Sequence, residues 1–135
     1  MKKILLAIVL VILDQLSKFL ITGKSIEIFK FFSLKYVTNT GAAFSLFQRF
    51  NLILILISLI VIIYLFLQLK KENNKIRIWS FIFIIAGALG NLIDRVVFGY
   101  VRDFILIWVW PTFNLADSFI TIGALLLLFS LFKKN

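Results

Sequence analysis

The segment IWSFIFIIAGALGNLIDRVVF, residues 78–98, decides the class of fold. It is apolar over the roughly 20 residues that a helix needs to cross a bilayer, yet it contains Asn91, Asp94 and Arg95. A charged side chain at the bilayer centre costs about 2.5 kcal/mol or more on insertion scales. We therefore interpret this segment as a membrane span whose polar residues belong to a site.

Three further segments have the same length and character: residues 4–21, 52–69 and 115–132. The chain of 135 residues is 62% hydrophobic and has a mean hydropathy of +1.08, which is too apolar for a soluble domain of this size. The predicted fold is a mainly α membrane protein with four transmembrane helices in a single domain, residues 1–135. The first span resembles a signal peptide, but Asp14 and Lys18 interrupt it and no convincing cleavage site follows, so an uncleaved span is expected.

The distribution of basic residues predicts the orientation. With an even number of spans, eight of the 15 basic residues fall on one side, namely Lys2, Lys3, Lys70, Lys71, Lys75, Arg77, Lys133 and Lys134. The positive-inside rule then places both termini and the 70–77 connection in the cytoplasm. The net charge of +9 is also typical of nucleic-acid binding. Because these residues flank spans, we expect them to contact anionic membrane lipid and no nucleic acid.

With this topology the unusual polar residues fall at one boundary, the outer one. They are Asp14, Lys18, Asn39, Asn91, Asp94, Arg95, Asp103, Asn114 and Asp117. The chain has no cysteine and no histidine, which excludes a cysteine nucleophile, a thiolate metal site and a histidine base. Acid–base chemistry would therefore fall chiefly to carboxylates. We expect no metal and no cofactor.

The 23–50 loop is predicted to form strands rather than another span. Polar and apolar residues alternate over residues 25–37, and Lys30 breaks the alternation, which indicates a bulge or two short strands. A further strand is expected over residues 100–105. The pattern predicts a small β-sheet on the extracytoplasmic surface, with its apolar face against lipid and a turn at residues 39–41.

Asp103 and Asp117 flank a connection short enough for their side chains to meet. Two neighbouring carboxylates cannot easily both ionise, so they share a proton. One can then take a proton from water while the other donates to a carbonyl oxygen, as in peptide hydrolysis without a covalent intermediate. Asn114 would cap the fourth span, whose dipole stabilises a charge on Asp117. The alternative leaves Asp117 as part of a helix start and Asp103 as a solvated loop residue.

The other polar residues also have structural interpretations. Asp14 and Lys18, at i and i+4, would form an intrahelical ion pair, and Asp94 is expected to pair with Arg95. Arg95 could instead extend to the outer headgroups, and Asn91 could bridge helices. Small residues at 87 and 90 favour close helix packing, and the tryptophans at 108 and 110 are typical of a membrane interface.

Five stretches resemble lipoprotein signal peptidase, the signal peptidase II family of bacterial membrane aspartyl peptidases. In chain order they are Asp14-Gln15 with Lys18, Asn39-Thr40-Gly41-Ala42-Ala43-Phe44, the GALGNLIDR segment at 87–95, Val101-Arg102-Asp103-Phe104, and Phe113-Asn114-Leu115-Ala116-Asp117-Ser118. The resemblance implies a catalytic dyad of Asp103 and Asp117. It also implies supporting roles for Asn39, Asn91, Asp94, Arg95 and Asn114, with Asp14 and Lys18 more peripheral.

The resemblance also implies a substrate and a location. The family removes signal peptides from prolipoproteins, cleaving just before a cysteine that bears diacylglycerol, at the bacterial cytoplasmic membrane. The sequence leaves the oligomeric state open and is compatible with a monomer. The main alternative is a small four-span transporter or channel subunit, because intramembrane carboxylates also mark ion pathways. A structural assembly factor is a third interpretation, but it does not explain aspartates at loop–helix junctions.

Overall fold

The computed structural model describes residues 2–41 and 48–132, and these form four helices and three strands. The helices are α1 (Lys2–Ile21), α2 (Gln48–Lys71), α3 (Lys75–Phe98) and α4 (Leu115–Phe132), and the strands are β1 (Ser25–Phe29), β2 (Phe32–Asn39) and β3 (Val101–Ile107). All four helices are long and apolar enough to cross a membrane. The four predicted spans are confirmed. Several helices extend beyond the apolar runs, because lysine, arginine and glutamine are good helix formers outside hydrocarbon.

Helix α3 is the centre of the bundle. In its apolar window 56% of the residues are buried, against 11% in α1, 11% in α2 and 17% in α4. Helices α1, α2 and α4 all pack against α3, while their other faces expose leucine, isoleucine and phenylalanine. Such a surface suits lipid rather than water. The helix that carries Asn91, Asp94 and Arg95 is therefore the one best shielded from lipid.

Small residues on α3 and α4 allow close helix contact. A Cβ atom added at Gly87 would overlap the carbonyl oxygen of Ala116. One added at Gly90 would lie 2.5 Å from Asp14 Oδ2, and one at Gly123 would lie 2.8 Å from the carbonyl oxygen of Ser80. The packing role expected for the small residues of α3 is confirmed, and it brings α1 and the start of α4 against the polar end of α3.

The two ends of α3 are both capped. At its start the Asn74 side chain accepts hydrogen bonds from the N–H groups of Ile76 and Arg77. At its end Gly99 adopts φ 80°, a left-handed conformation that glycine adopts without steric cost, and its N–H donates to the Arg95 carbonyl oxygen. This turn ends the helix and directs the chain into β3, which carries Asp103.

The strands form one antiparallel sheet in the order β1-β2-β3. Lys30 and Phe31 lie between β1 and β2, so the predicted break at Lys30 is confirmed. Asn39 pairs with Val101 and Val37 pairs with Asp103, which places the end of β2 beside the catalytic candidate on β3. Gly41 N donates to Asn39 Oδ1 over 2.9 Å, which forms the predicted turn. The motif residues Ala42, Ala43 and Phe44, and the terminal Lys133 and Lys134, lie outside the described residues.

Candidate active site

The predicted site residues come together at one end of the bundle. Helix α1 supplies Asp14 and Lys18, and α3 supplies Asn91, Asp94 and Arg95. The remainder come from the end of β2, from β3 and from the start of α4, namely Asn39, Asp103, Asn114 and Asp117. Apart from Arg95, their side chains are joined in one hydrogen-bonded network. The convergence inferred from spans and charge is therefore a feature of the structure.

Asn114 and Asp117 cap the start of α4 reciprocally. The N–H of Asp117 donates to Asn114 Oδ1 over 3.0 Å, and the N–H of Asn114 donates to Asp117 Oδ2 over 3.1 Å. This is a capping box with aspartate at its third position. The cap predicted for Asn114 is confirmed. It fixes the Asp117 carboxylate at the positive end of the α4 dipole, where negative charge is stabilised.

Asp103 is buried rather than solvated, since only 2% of it is exposed. Its Oδ1 accepts a 2.6 Å hydrogen bond from Asn114 Nδ2, and its Oδ2 accepts a 2.8 Å bond from Asn39 Nδ2. Burial raises the pKa of Asp103 to about 6, and the nearby Asp117 charge adds to the rise, while the two amide donors oppose it. At neutral pH a carboxyl group with this pKa is poised to exchange a proton.

Asn114 joins the two carboxylates. Its side-chain amide donates to Asp103 Oδ1, while its backbone N–H donates to Asp117 Oδ2. The same amide donates to Asn91 Oδ1 over 3.1 Å, and Asn91 Nδ2 donates to the other Asp117 oxygen over 2.8 Å. Both aspartates are thus fixed by neutral amides, which can hold a carboxylate in either protonation state.

A buried ion pair supports these amides from α1. Lys18 Nζ lies 2.8 Å from Asp14 Oδ2 and donates to Asn91 Oδ1 over 3.0 Å, and neither Lys18 nor Asp14 is exposed. The pairing predicted for Asp14 and Lys18 is confirmed. Asp14 Oδ1 also accepts the N–H of Ala116, one residue before Asp117. The pair is therefore more closely tied to the site than its expected peripheral role implied.

The prediction that Asp94 pairs with Arg95 is wrong. Asp94 instead lies 2.8 Å from Arg102 Nη2 and 3.5 Å from Lys18 Nζ, and it accepts the Arg102 backbone N–H over 2.9 Å. Consecutive residues on a helix point in different directions, so neighbours at i and i+1 do not face each other. The Arg95 guanidinium lies within electrostatic range of Asp117 and Asp103.

Two residues of this network were not predicted as site residues. Arg102 binds Asp94 through Nε and Nη2, and its Nη2 also donates to Gln15 Oε1 over 2.9 Å. Gln15 Nε2 in turn donates to the Gly90 carbonyl oxygen and to Asp94 Oδ1. The sequence feature that could have indicated Arg102 is the pair of charged residues Arg102 and Asp103 at the start of a strand that is otherwise apolar. Arg102 and Asp103 point to opposite faces of β3 and are both buried, so this part of the strand is covered on both faces.

Each carboxylate borders an open cleft. A cleft of about 540 Å³ is lined by Asn39, Asp103 and Thr112. A second, of about 360 Å³, is lined by Asp117 with Trp110 and Phe113, and by Ser118 and Thr121 along α4. Across residues 2–41 and 48–132 no three acidic side chains come together as metal ligands. One cleft thus reaches each of the two carboxylates, which lie in different environments.

Comparison with known proteins gives a consistent picture. The family described as signal peptidase (SPase) II matches residues 6–133. The lipoprotein signal peptidase of Halothermothrix orenii is 41% identical over 97% of this chain and 95% of its own length, and that of Caldicellulosiruptor bescii is 43% identical over 92% and 86%. That of Clostridium novyi is 39% identical over 98% and 99%.

Solved structures agree with these relatives. A bacterial membrane enzyme determined at 1.9 Å resolution superposes with a TM-score of 0.82 at 35% identity, over 99% of this chain and 94% of that one. A second bacterial membrane enzyme, determined at 2.3 Å resolution, gives a TM-score of 0.79 at 36% identity, over 96% and 87%. The family match, the identities over nearly the whole chain and the shared fold together show that this multi-pass membrane protein belongs to the signal peptidase II family and is a peptidase.

Proposed function

We propose that this protein removes signal peptides from lipoprotein precursors by aspartic hydrolysis, with Asp103 and Asp117 as the catalytic carboxylates. The observation that carries the assignment is the double hydrogen bonding of Asn114, which holds the two carboxylates together beside two clefts. The names of the relatives, all lipoprotein signal peptidases, support the choice of substrate.

The two carboxylates take different roles in the first half of the reaction. Asp103 is assigned the proton of the pair, because burial raises its pKa to about 6 and so makes it easier to protonate than an ordinary aspartate. Asp117 acts as the base, because the first turn of α4 and the donors from Asn91 and Asn114 stabilise its charge. Asp117 takes a proton from water, the water oxygen attacks the peptide carbonyl carbon, and Asp103 donates its proton to the carbonyl oxygen.

In the second half the tetrahedral intermediate collapses. Its hydroxyl proton returns to Asp103, the proton on Asp117 passes to the leaving amine, and the C–N bond breaks. The site then has the same protonation as at the start, and no covalent intermediate forms. Three side-chain amides hold the carboxylates in place through both halves, those of Asn39, Asn91 and Asn114. Four charged residues form the support behind these amides, namely Lys18, Asp14, Asp94 and Arg102. Arg95 contributes positive charge near the dyad.

The substrate in this proposal is a prolipoprotein whose cysteine bears diacylglycerol, cut just before that cysteine. Two clefts at one end of a lipid-facing bundle support it, because a diacylglyceryl group would remain in the bilayer while the peptide reached the carboxylates. The positive-inside rule places the termini in the cytoplasm and this end of the bundle at the outer leaflet of the bacterial cytoplasmic membrane. A single chain supplies every group used, so a monomer suffices.

The alternative of a transporter or channel subunit has no comparable support. An ion pathway needs polar groups through the depth of the bilayer. The network described above is confined to one end, and the core around Leu10, Leu65, Leu69 and Phe81 towards the other end is apolar.

Substitution of each carboxylate tests the proposal. Purified Asp103→Asn and Asp117→Asn variants should lose about 10³-fold or more of turnover on a lipidated precursor peptide, because each loses a group that moves a proton. Glu27→Gln is the matched control, since Glu27 is an exposed carboxylate on β1, and it should cleave normally. Thermal melts in detergent check that each variant is folded. Normal turnover by both aspartate variants would remove the dyad assignment.

A further inference from the structure

A groove between α1 and α2 plays no part in the proposed reaction. Both helices pack on α3, whose side chains form the floor of the groove, and the groove has a volume of about 280 Å³. Its lining is apolar on all three sides. The main lining residues are Ile8 and Val11 of α1, Ile62 and Phe66 of α2, and Ile85 and Leu89 of α3.

The size of the groove selects its occupant. Along α1 the lining runs from Lys3 to Ile12, which at 1.5 Å per residue is about 14 Å. That length is close to one hydrocarbon leaflet, half of the roughly 30 Å core. The groove therefore matches a single acyl chain in length, and its apolar lining suits hydrocarbon.

Two lysines lie at one end of the groove. Lys3 is part of its lining, and Lys70 Nζ lies 4.8 Å from the ring centroid of Phe66, a wall residue. Neither lysine pairs with a carboxylate within residues 2–41 and 48–132. The nearby Glu72 is already satisfied, because it accepts N–H groups of the following loop and lies 3.6 Å from Arg77. The charge at this end therefore complements an anion.

We propose that the groove binds one acyl chain of an anionic phospholipid, with the lipid phosphate between Lys3 and Lys70. The residues that line the groove are apolar along its length, and the one charged residue among them, Lys3, lies at one end, which is the pattern that a phospholipid requires. The bound lipid fills the space between α1 and α2 and stabilises their packing on α3. The proposed topology would place it in the cytoplasmic leaflet, at the opposite end of the bundle from Asp103. Lipid binding itself does not depend on the proposed reaction.

Lipid titration of the purified full chain tests the charge requirement. The probes are phosphatidylglycerol and phosphatidylcholine with identical acyl chains, added in neutral detergent and followed by native mass spectrometry and thermal melting. We expect one tightly bound phosphatidylglycerol and a melting temperature raised by about 2–4 °C. The double variant Lys3→Gln/Lys70→Gln should weaken this binding by about tenfold or more. Lys24→Gln/Lys35→Gln removes the same charge at the sheet end and should leave binding unchanged.

A second pair of variants tests the groove itself. Ala7→Phe fills the groove from α1, and Ile4→Trp narrows it near Lys3. Each should lose the bound phosphatidylglycerol while keeping its lipid-free melting temperature, and Ile4→Trp remains informative if Ala7→Phe fails to fold. Any one of three results would overturn the proposal. The two lysine double variants could weaken phosphatidylglycerol binding equally, or the protein could bind the two lipids with equal affinity. A folded groove variant could also retain the bound lipid.

Discussion

Asn114 uses all of its polar groups at the site. Its N–H and side-chain amide donate to Asp117, Asp103 and Asn91, its Oδ1 accepts from Asp117 N–H, and its carbonyl oxygen accepts from Ser118. One residue therefore begins a helix and sets the relative position of both candidate catalytic carboxylates. A hydrogen-bonding partner on every side leaves it little freedom to move.

Asn114→Ala is expected to lower the turnover number far more than it lowers stability. Loss of an asparagine cap costs about 1 kcal/mol, whereas loss of the amide between two carboxylates should reduce turnover by about 10²-fold or more. The control is Asn74→Ala, because Asn74 caps α3 in the same way at the other end of the bundle. Both variants should show a drop in melting temperature, larger for Asn114→Ala because its buried amide also bonds Asp103 and Asn91, but only Asn114→Ala should lose activity. Equal activity in the two variants would show that Asn114 is only a cap.

Asn39→Ala is expected to change the pH dependence of the reaction. The Asn39 amide stabilises the charged form of Asp103 and so lowers its pKa. Removal of the amide raises that pKa further above its usual value. Because Asp103 donates its proton in the proposed mechanism, the alkaline limb of the pH–rate profile should move to higher pH, by roughly half a unit or more.

The alkaline limb of the pH–rate profile reports on the coupled pair of aspartates. The quantity to compare is therefore the change in the pH of this limb between variants, and not its absolute pH. Ser33→Ala, on the same strand and away from the site, serves as the control. An alkaline limb that stays in place while the acid limb of Asn39→Ala moves to higher pH would reverse the roles assigned to Asp103 and Asp117.

At the scale of elements, Arg102 fixes β3 to α3. Its guanidinium binds both oxygens of Asp94, at 3.2 Å from Nε to Oδ2 and 2.8 Å from Nη2 to Oδ1, and lies 4.5 Å from the ring centroid of Phe98. Asp103 is the next residue in the strand. The contact between Arg102 and Asp94 therefore fixes the position of β3 relative to α3 at the residue next to Asp103.

Arg102→Lys is expected to lower kcat by about tenfold and to change KM little. A lysine keeps the charge but cannot bind both oxygens of Asp94, so β3 should be held less firmly. Arg77→Lys is the matched control, because Arg77 makes a partly exposed contact with Glu72 at the other end of the bundle. Steady-state kinetics of both variants give the comparison. Full activity of Arg102→Lys would show that the bidentate contact does not position Asp103.

The sequence was sufficient to predict the helices and strands but not the partner of Asp94. Apolar length predicts spans directly, and the interruption at Lys30 indicated a bulge or two short strands, of which the structure has two strands. Arg95 is adjacent to Asp94 in the chain, yet Arg102 reaches it, because the left-handed turn at Gly99 folds β3 back onto α3. Such a contact depends on how a turn directs the chain, which composition and spacing do not encode. The capping box was predictable because it is local.

At the scale of the whole molecule, the proposed orientation can be tested because the chain has no cysteine. Single-cysteine variants Ser33→Cys, in the sheet, and Asn73→Cys, between α2 and α3, place one thiol at each end of the bundle. We expect a membrane-impermeant maleimide to label Ser33→Cys in intact spheroplasts and Asn73→Cys only after permeabilisation. The reverse pattern would place the candidate active site on the cytoplasmic side.

The convergence of the site residues was predictable at this scale because it follows from the spans and the charge bias. The connections among those residues were not. Asp14 lies on α1 and its partners lie on α3 and α4, and the contact with Ala116 depends on how closely the glycines of α3 let the helices approach. Asp14, which the sequence predicted to be peripheral to the site, is therefore fully buried in the bundle.

The bond from Asp14 to the Ala116 N–H has a consequence for biosynthesis. It joins residues 102 positions apart, so α1 leaves the ribosome well before α4 and acquires this partner only when α4 enters the membrane. In the meantime Asp14 and Lys18 can neutralise each other within α1, which lowers the cost of inserting that helix alone. A nascent chain that lacks α4 also lacks Asp117. With the proposed pair of catalytic aspartates, the peptidase would therefore remain inactive until α4 had been synthesised and inserted.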